Sequence, residues 1–308
     1  MPFRRRIRAM HHESCIHHCA LRRFAASLAA VLLVSVGCSP SKYAVGSVMV
    51  PVLENARDAA FESNDIKTFR DASPANLFLL EGLIRTDPDE TELRVNASML
   101  YFAYAFAFNE ETDPSYASLL YHSGMTHGYA ALAKNKHIPR TPDVPFEEFE
   151  AALPELRKKD VPAAVWTSVN WAQFIGLHLD STAVLRDIPK VTSLLERVVE
   201  LDPEYFEGIP YVMLGTLHSF KPPIMGGDPK ASAENFEKAF AISGGSFLLS
   251  KYFYARFYTY RIQDAELFEK TLSGVIGADT PPEYPYRLLN AIAKQKSQSL
   301  LGEIDELF

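Results

Sequence analysis

The chain has 308 residues, of which 47% are hydrophobic and 22% are charged, and its formal net charge is −7. This composition supports a large buried core and excludes a mainly disordered chain. Because residues 1–37 contain six arginines and one glutamate, the remainder carries 25 basic and 37 acidic residues, and this excess of acid argues against nucleic acid as a partner.

The N-terminal segment has the pattern of a bacterial lipoprotein signal. Arg22 and Arg23 precede a short apolar run that ends in small residues at Gly37 and Cys38. The run is too short to span a bilayer, but it matches the apolar part of a secretory signal. Ser35 departs from the pattern, because lipoprotein signals usually carry leucine at that position.

We predict that residues 1–37 are a signal peptide that is removed after export and that Cys38 is lipidated. Residues 38–46 are predicted to form a short tether to the membrane. Because Ser39 rather than aspartate follows the cysteine, we expect a periplasmic protein anchored in the inner leaflet of the outer membrane.

All three cysteines, Cys15, Cys19 and Cys38, lie in this leader or at its edge. The rest of the chain has no cysteine pair to oxidise, so its stability must come from burial. Histidines beside Cys15 and Cys19 resemble a metal cluster, but we interpret this segment as an extended leader. No metal site and no cofactor are predicted.

Residues 47–308 show one helical pattern after another and no convincing strand pattern. The segment 93–108 is apolar on nearly every face in its second half, which predicts a helix at the centre of the core. Asp113 and Asp228, each followed by proline, predict helix starts, because aspartate caps the first amides and proline is tolerated in the first turn. The predicted fold class is all-α.

Two segments, 79–88 and 194–203, share the pattern of a helix end followed by Asp-Pro and a new apolar helix. Helix pairs joined by such turns are typical of tetratricopeptide repeats. The period is irregular, because the residues from Ser219 to Gly227 interrupt one pair. We therefore predict a degenerate tetratricopeptide-like helical-repeat domain over residues 47–308.

Two helical faces carry aromatic, amide and basic side chains that suit a small ligand with an apolar body and an anionic end. One lies on the helix that begins near Pro162 and the other on the helix over 248–262, beside a stripe from Leu249 to Tyr260 that we expect to face the core. The predicted ligand-binding residues are Trp166, Asn170, Gln173, Lys251, Tyr254, Tyr258 and Arg261. Packing between helices is the alternative explanation for both faces, and it stays open.

The loop that interrupts the repeat begins with Lys221, Pro222 and Pro223 and ends with Gly226 and Gly227. Proline makes its start rigid, and glycine allows positive φ at its end. Because long loops inside compact domains are often functional, we predict that these five residues contact a partner or a ligand. They do not form a phosphate-binding loop, since no Gly-Lys-Ser or Gly-Lys-Thr follows.

No complete catalytic motif is present in the sequence. Ser39 and Lys42 have Ser-x-x-Lys spacing, but no Lys-Thr-Gly accompanies them. His122 and His127 lack the spacing and the glutamate of a zinc protease helix. We predict that the protein is not an enzyme and has no catalytic residues.

Short motifs at 104–110, 201–203, 214–216, 222–229, 243–248 and 289–293 are spread over the chain after the leader. Together they resemble the TatT component of TRAP transporters, and the Pro-Pro-x-x-Gly-Gly-Asp-Pro string at 222–229 is a fairly specific part of the resemblance. The resemblance implies an all-helical, lipid-anchored periplasmic protein without catalytic activity. Its expected partner is the extracytoplasmic solute-binding protein of a TRAP system, which moves organic acids and other small solutes. A homotrimer with a pore or cleft in each subunit is also implied.

Two other functions are kept as alternatives. A tetratricopeptide-like scaffold lipoprotein for envelope assembly has the same fold and predicts an open concave groove. A cell-wall hydrolase predicts a cleft with two facing carboxylates. The transport function predicts a cavity lined by Trp166, Tyr254 and Tyr258.

Overall fold

The computed structural model describes residues 40–221 and 226–308. Within these ranges the chain is mostly helical and has no β-strand, which confirms the predicted all-α class. The tetratricopeptide-like repeat stays a prediction. The predicted signal peptide, Cys38, Pro222 and Pro223 lie outside the described residues.

The chain divides between Met49 and Val50 into two compact units. In the first unit the structure describes helix α1 (Pro40–Ala44) and a π-helical turn (Val45–Met49). The predicted division into leader, tether and domain stays a prediction.

The second unit consists of helices that are joined mostly by short turns. These helices are α2 (Val50–Glu62), α3 (Ile66–Thr86), α4 (Thr91–Tyr104), α5 (Pro114–Leu132), α6 (Phe146–Ala152), α7 (Val161–Gly176), α8 (Thr182–Leu185), α9 (Ile188–Leu201), α10 (Tyr205–Ser219), α11 (Pro229–Ser243), α12 (Leu248–Phe253), α13 (Ala265–Gly277), α14 (Arg287–Leu301) and α15 (Ile304–Leu307). Two π-helical turns, Ala105–Asn109 and Tyr254–Thr259, directly follow α4 and α12.

Aspartate side chains cap both helices for which the sequence predicts an Asp-Pro start. Asp113 accepts a hydrogen bond from the backbone N–H of Tyr116 at 3.0 Å, and Asp228 accepts one from Ala231 at 2.9 Å. Proline occupies the first turn in each case, where its missing N–H leaves no helical bond unmade. Both predicted helix starts are confirmed.

The two similar segments both form a helix end, a tight turn and a packed second helix. The N–H of Asp87 donates to Leu83 O at 2.9 Å, and the N–H of Asp202 donates to Val198 O at 2.8 Å. Because the residue before proline is disfavoured in the helical conformation, the chain turns at both aspartates. Helix α3 then packs against α4, and α9 packs against α10.

Helix α7 lies at the centre of the core and packs against α4, α5, α9 and α10. It is buried on nearly every face, as expected for a helix that is apolar all round. Two glycines of α5 allow the close approach of α7. A Cβ atom at Gly124 would lie 2.2 Å from Asn170 Oδ1, and one at Gly128 would lie 2.9 Å from the backbone N of Thr167.

Helix α10 begins with a left-handed turn at Phe206, Glu207 and Gly208, whose φ angles are 49°, 58° and 77°. Positive φ is unfavourable for the two residues that are not glycine. Packing offsets this cost, because the Phe206 ring meets Trp166 with centroids 5.1 Å apart and Phe61 at 5.8 Å. The turn therefore depends on tertiary contacts of an aromatic side chain.

Candidate functional site

The predicted ligand-binding residues of α7 lie inside the core. Trp166 is buried and donates from Nε1 to the Tyr205 hydroxyl at 3.3 Å. Asn170 is fully buried, and its amide donates to Ser98 O at 3.0 Å and to Trp166 O at 2.9 Å. These contacts join α7 to α4 and α10. Both side chains thus have a packing role, and their role in ligand binding stays a prediction.

The second predicted face lies on α12 and its π-helical turn, at the edge of the core. Tyr254 stacks on Tyr258 with ring centroids 4.9 Å apart and meets Phe236 of α11 edge-on at 5.4 Å. Burial raises the pKa of Tyr254 to about 12, so its hydroxyl is protonated at neutral pH. Lys251 and the two tyrosines are partly exposed, so a solute can reach them.

The π-helical turn changes which side chains of this helix face the core. Helical spacing predicts that Tyr260 continues the buried stripe from Leu249, but this prediction is wrong because Tyr260 is 37% exposed. A π-helical turn contains more residues than an α-helical turn, so the residues after it are rotated. Arg256, which belongs to neither predicted face, pairs instead with the buried Glu110.

Arg261 contacts the base of the predicted contact loop. Its guanidinium donates to Ser219 O at 2.7 Å and to Phe220 O at 3.0 Å, at the end of α10. At the other end of the loop, the N–H of Asp228 donates to His218 O at 3.1 Å. The bond from Asp228 joins the two ends of the loop, and the two bonds from Arg261 attach the end of α10 to the segment after the π-helical turn. The predicted role of Arg261 in ligand binding stays a prediction.

A cleft of about 320 Å³ lies beside this loop, and we call it the loop cleft. It is lined by the start of α9, the end of α10 and the loop residues Lys221, Gly226 and Gly227. Gly226 has a φ of +90°, a conformation that glycine allows at the end of the loop. Three of the five predicted contact residues therefore share one concave surface with His218.

Sequence analysis did not predict a group of charged side chains that the structure places in the core. Glu110 follows the π-helical turn after α4, and its side chain is 3% exposed. One carboxylate oxygen pairs with Arg256, and the other accepts a hydrogen bond from the Tyr121 hydroxyl. Gln173, the third predicted residue of α7, is buried near this group and lowers the pKa of Tyr121, although burial raises that pKa overall. Its role in ligand binding stays a prediction.

Lys296 of α14 completes the group. Its side chain is only 4% exposed, and its ammonium donates to Phe106 O at 2.9 Å and to the Glu111 carboxylate at 2.8 Å. The ammonium also lies 4.6 Å from the centre of the Phe106 ring, a cation–π distance. We call this group the buried charged cluster: Glu110, Tyr121 and Lys296 are buried, Arg256 is partly exposed, and Glu111 lies at its exposed edge.

The charges of the buried charged cluster stabilise one another. Burial by itself raises the pKa of Glu110, but the nearby Arg256 and Lys296 and the Tyr121 hydrogen bond outweigh it, so the pKa is lowered. Burial lowers the pKa of Lys296, and the two glutamates only partly oppose this. Glu110 is therefore ionised at neutral pH. Removing one partner would leave an uncompensated charge in the core.

A second polar group joins α3, α4 and α5. Glu81 Oε1 accepts a hydrogen bond from the Tyr101 hydroxyl at 2.9 Å and lies 2.8 Å from His127 Nε2. The Tyr101 and His127 rings stack with centroids 5.6 Å apart. Burial lowers the pKa of His127 and Arg94 adds to this, whereas Glu81 opposes it. The imidazole is therefore neutral at pH 7, and its contact with Glu81 is a hydrogen bond.

We expect His127 to make the fold less stable in mild acid. Its pKa in the folded protein lies below the ordinary value of 6.5, so the unfolded chain binds the proton first as the pH falls, and the free energy of unfolding decreases. Burial alone raises the pKa of Glu81, but Tyr101 and His127 lower it below 4.5, so the contribution of Glu81 is lost only at lower pH.

Urea unfolding between about pH 7.5 and 5.5 measures this effect. The free energy of unfolding should fall over this range, and it should fall less in the His127→Gln variant. An equal fall in both proteins would show that His127 is not the group responsible.

A second cleft, of about 380 Å³, lies between α2, α3 and α4, and we call it the helical cleft. Its surface is mostly apolar, with Met99 and Ala103 of α4 among its lining residues. The charged and amide side chains that line it are Arg57, Asp65, Asn76 and Asn96.

Over residues 40–221 and 226–308, no three His, Cys, Asp or Glu side chains come together as a metal site requires. In the same part of the chain, no helix is long and apolar enough to cross a membrane.

The family model described as TRAP transporter T-component matches residues 62–308 of the chain. The matched segment includes every member of the buried charged cluster and the whole lining of the loop cleft. No curated protein matches the chain.

Proposed function

Because the chain belongs to the TRAP transporter T-component family, we propose that it binds the extracytoplasmic solute-binding protein of a TRAP transport system. The family match over residues 62–308 carries this proposal. A TRAP component works outside the cytoplasm, and we place this one in the periplasm as a homotrimer, held at the outer membrane by a lipid on Cys38. It acts by association and has no catalytic activity of its own.

The loop cleft is the surface that we propose for the solute-binding protein. The hydrogen bonds of Arg261 and Asp228 hold the described residues on either side of residues 222–225. Lys221 adds a positive charge at its rim, on a chain that is acidic overall. A cation at a rim attracts an acidic partner and raises the rate of association.

Capture from an envelope extract tests this proposal. The tagged full-length protein should recover the solute-binding protein of a TRAP system, identified by mass spectrometry, in nearly equal amount. Lys221→Glu should lower the recovery about tenfold because it reverses the rim charge. Lys270→Glu is the matched control, since Lys270 is exposed on α13 and lines neither cleft.

The outcomes of this capture are distinct. Recovery of envelope-assembly proteins in place of a solute-binding protein would support the scaffold function. Failure to recover a solute-binding protein that the extract contains would refute the transport partner. An equal loss in the Lys221 and Lys270 variants would refute the loop cleft as the contact.

We also propose that the protein binds a small organic ligand with an apolar body and an anionic end. Lys251, Tyr254 and Tyr258 offer a cation and phenol groups at a partly exposed surface. Arg261 is engaged with backbone carbonyls of α10. Neither the loop cleft nor the helical cleft is lined by Trp166, Tyr254 or Tyr258.

A further inference from the structure

We propose that the protein binds a small organic cation with a methylated ammonium group, held by the Glu207 carboxylate and the rings of Tyr284 and Tyr286. We call these three residues the tyrosine–glutamate site. None of them lines the loop cleft or the helical cleft. This binding goes beyond the proposed function and does not depend on the identity of the protein partner.

Glu207 is held in an unfavourable backbone conformation that none of its own side-chain contacts offsets. Its φ of 58° lies in the left-handed region, where a residue with a Cβ atom is strained. The neighbouring Phe206 has a similar φ of 49°, but its ring packs against Trp166. Among the described residues, the Glu207 carboxylate has no hydrogen-bond donor and no ion-pair partner. Strain of this kind clusters at positions that contact ligands.

The Glu207 carboxylate also has no cation to balance its charge. Partial burial raises its pKa, and no neighbouring charge in the described part of the chain lowers it. Arg57 and Asp58 both influence the pKa of the nearby Tyr286, but they pair with each other at 2.9 Å. Because removing a carboxylate from water without a partner is unfavourable, a cation from solution would be stabilised beside Glu207.

Two tyrosine rings lie next to this carboxylate. Burial raises the pKa of both Tyr284 and Tyr286, and the negative charge of Glu207 raises it further, so the carboxylate is close to both phenol groups. The two ring planes meet at 74° with centroids 6.0 Å apart, and they therefore form two sides of a corner. Cations are attracted to the faces of aromatic rings, and several such rings together form the cages that hold methylated ammonium groups.

Packing behind the tyrosine–glutamate site fixes its shape. The Tyr286 ring lies 4.6 Å from the Phe206 ring and 5.8 Å from the Phe61 ring, measured between centroids. Phe206 directly precedes Glu207 in the chain, so the same aromatic packing positions the carboxylate and one of the two rings. Glu207, Tyr284 and Tyr286 are all partly exposed, so a solute can reach them. A site that is ordered before binding loses less entropy when the ligand binds.

The chemistry of the tyrosine–glutamate site suits an organic cation better than a metal ion. Over residues 40–221 and 226–308, no three acidic, histidine or cysteine side chains come together. A hard metal ion would therefore find only one carboxylate here, whereas such ions require several oxygen ligands. A methylated ammonium needs no such set, because it interacts through its charge and through contact with ring faces.

Calorimetric titration of the full-length protein with choline tests the inference. Choline should bind saturably at about pH 8, where the carboxylate is ionised. Dimethylbutanol, the uncharged carbon analogue of choline, should bind at least about tenfold more weakly. Glu207→Gln should lower the affinity for choline about tenfold because it removes the charge. Glu204→Gln is the matched control, since Glu204 is an exposed acid close in the chain and outside the site.

A second pair of variants tests the ring that holds the cation. Tyr286→Leu should lower the affinity for choline about tenfold, whereas Tyr286→Phe keeps the ring and should change it by less than about threefold. Circular dichroism verifies that each variant is folded.

Absence of saturable choline binding, equal affinities for choline and dimethylbutanol, or equal affinities of the Glu207 and Glu204 variants would overturn the inference. Glu207→Gln should capture the solute-binding protein normally. Failure of cation binding and failure of the partner proposal are therefore distinguishable.

Discussion

Glu110→Gln is expected to lower the free energy of unfolding by about 3–5 kcal/mol. Glutamine nearly preserves the shape of the side chain and can still accept a hydrogen bond from Tyr121, so the variant mainly removes the charge. Arg256 would then lose its carboxylate partner, and the buried Lys296 would keep only Glu111. Urea unfolding at neutral pH should show a lower midpoint with an unchanged slope.

Glu111→Gln is the matched control, because Glu111 is the neighbouring acid of the same cluster but is 43% exposed. Its loss of stability should be smaller than that of Glu110→Gln, because Lys296 keeps its hydrogen bond to Phe106 O and the nearby charge of Glu110. Arg256→Met should lower the free energy of unfolding less in the Glu110→Gln variant than in the wild-type protein. In that variant the Arg256 charge has already lost its carboxylate partner. Equal losses for the two glutamate variants would show that the Glu110 charge stabilises the fold no more than the Glu111 charge does.

Gly124→Ala is expected to lower the free energy of unfolding by about 2–4 kcal/mol. The added Cβ atom would lie 2.2 Å from Asn170 Oδ1 and 2.5 Å from Asn170 Cγ, so the Asn170 amide must move. That amide donates buried hydrogen bonds to Ser98 O and to Trp166 O, and moving it breaks both of them. The same unfolding measurement reports the loss.

Gly82→Ala provides the control for a glycine inside a helix. Nothing lies within 4 Å of a Cβ atom at Gly82, which is in the interior of α3. Alanine reduces the backbone entropy lost on folding, so this variant should gain about 0.5–1 kcal/mol. A gain in stability for both variants would mean that α5 and α7 have room for a methyl group at Gly124, contrary to the packing described above.

The buried charged cluster also connects the elements that line the loop cleft and the helical cleft. Arg256 lies in the π-helical turn that precedes Arg261, and Arg261 holds the base of the loop cleft. Lys296 lies on α14, which packs against α2, a wall of the helical cleft. Loss of the cluster is therefore expected to disturb both surfaces through stability, and the binding variants proposed above avoid its members.

Features that depend on local chemistry could be predicted from the sequence. The all-α class follows from the helical spacing of apolar residues, and the starts of α5 and α11 follow from Asp113 and Asp228, each with proline in the next position. The turns at Asp87 and Asp202 follow because a residue that precedes proline is disfavoured in the helical conformation. The positive φ at Gly226 follows from the absence of a side chain. Each of these outcomes involves residues within one or two turns of each other.

The candidate sites were decided by tertiary structure. Regular helical spacing predicted that Tyr260 faces the core. The π-helical turn rotates the residues that follow it, so Tyr260 is exposed. Within the same turn, Arg256 pairs with Glu110, a contact that the spacing did not predict. The one local signal of the buried charged cluster is two adjacent acids, Glu110 and Glu111, directly after an apolar segment. Nothing near them in the chain indicates which cations compensate them, because a buried charge finds its partner through the fold.

The helical cleft shows the same division between local and tertiary information. Ala60 and Ala72 are ordinary residues of amphipathic helices, and only the packing of α2, α3 and α4 makes them line a gap. Arg57 is an ordinary cation in the sequence, and only the fold places it beside that gap. The sequence by itself therefore determined the all-α class, the starts of α5 and α11 and the family, all of which are set by short-range patterns. Only the packing of helices distant in the chain decided where charge is buried and where space remains.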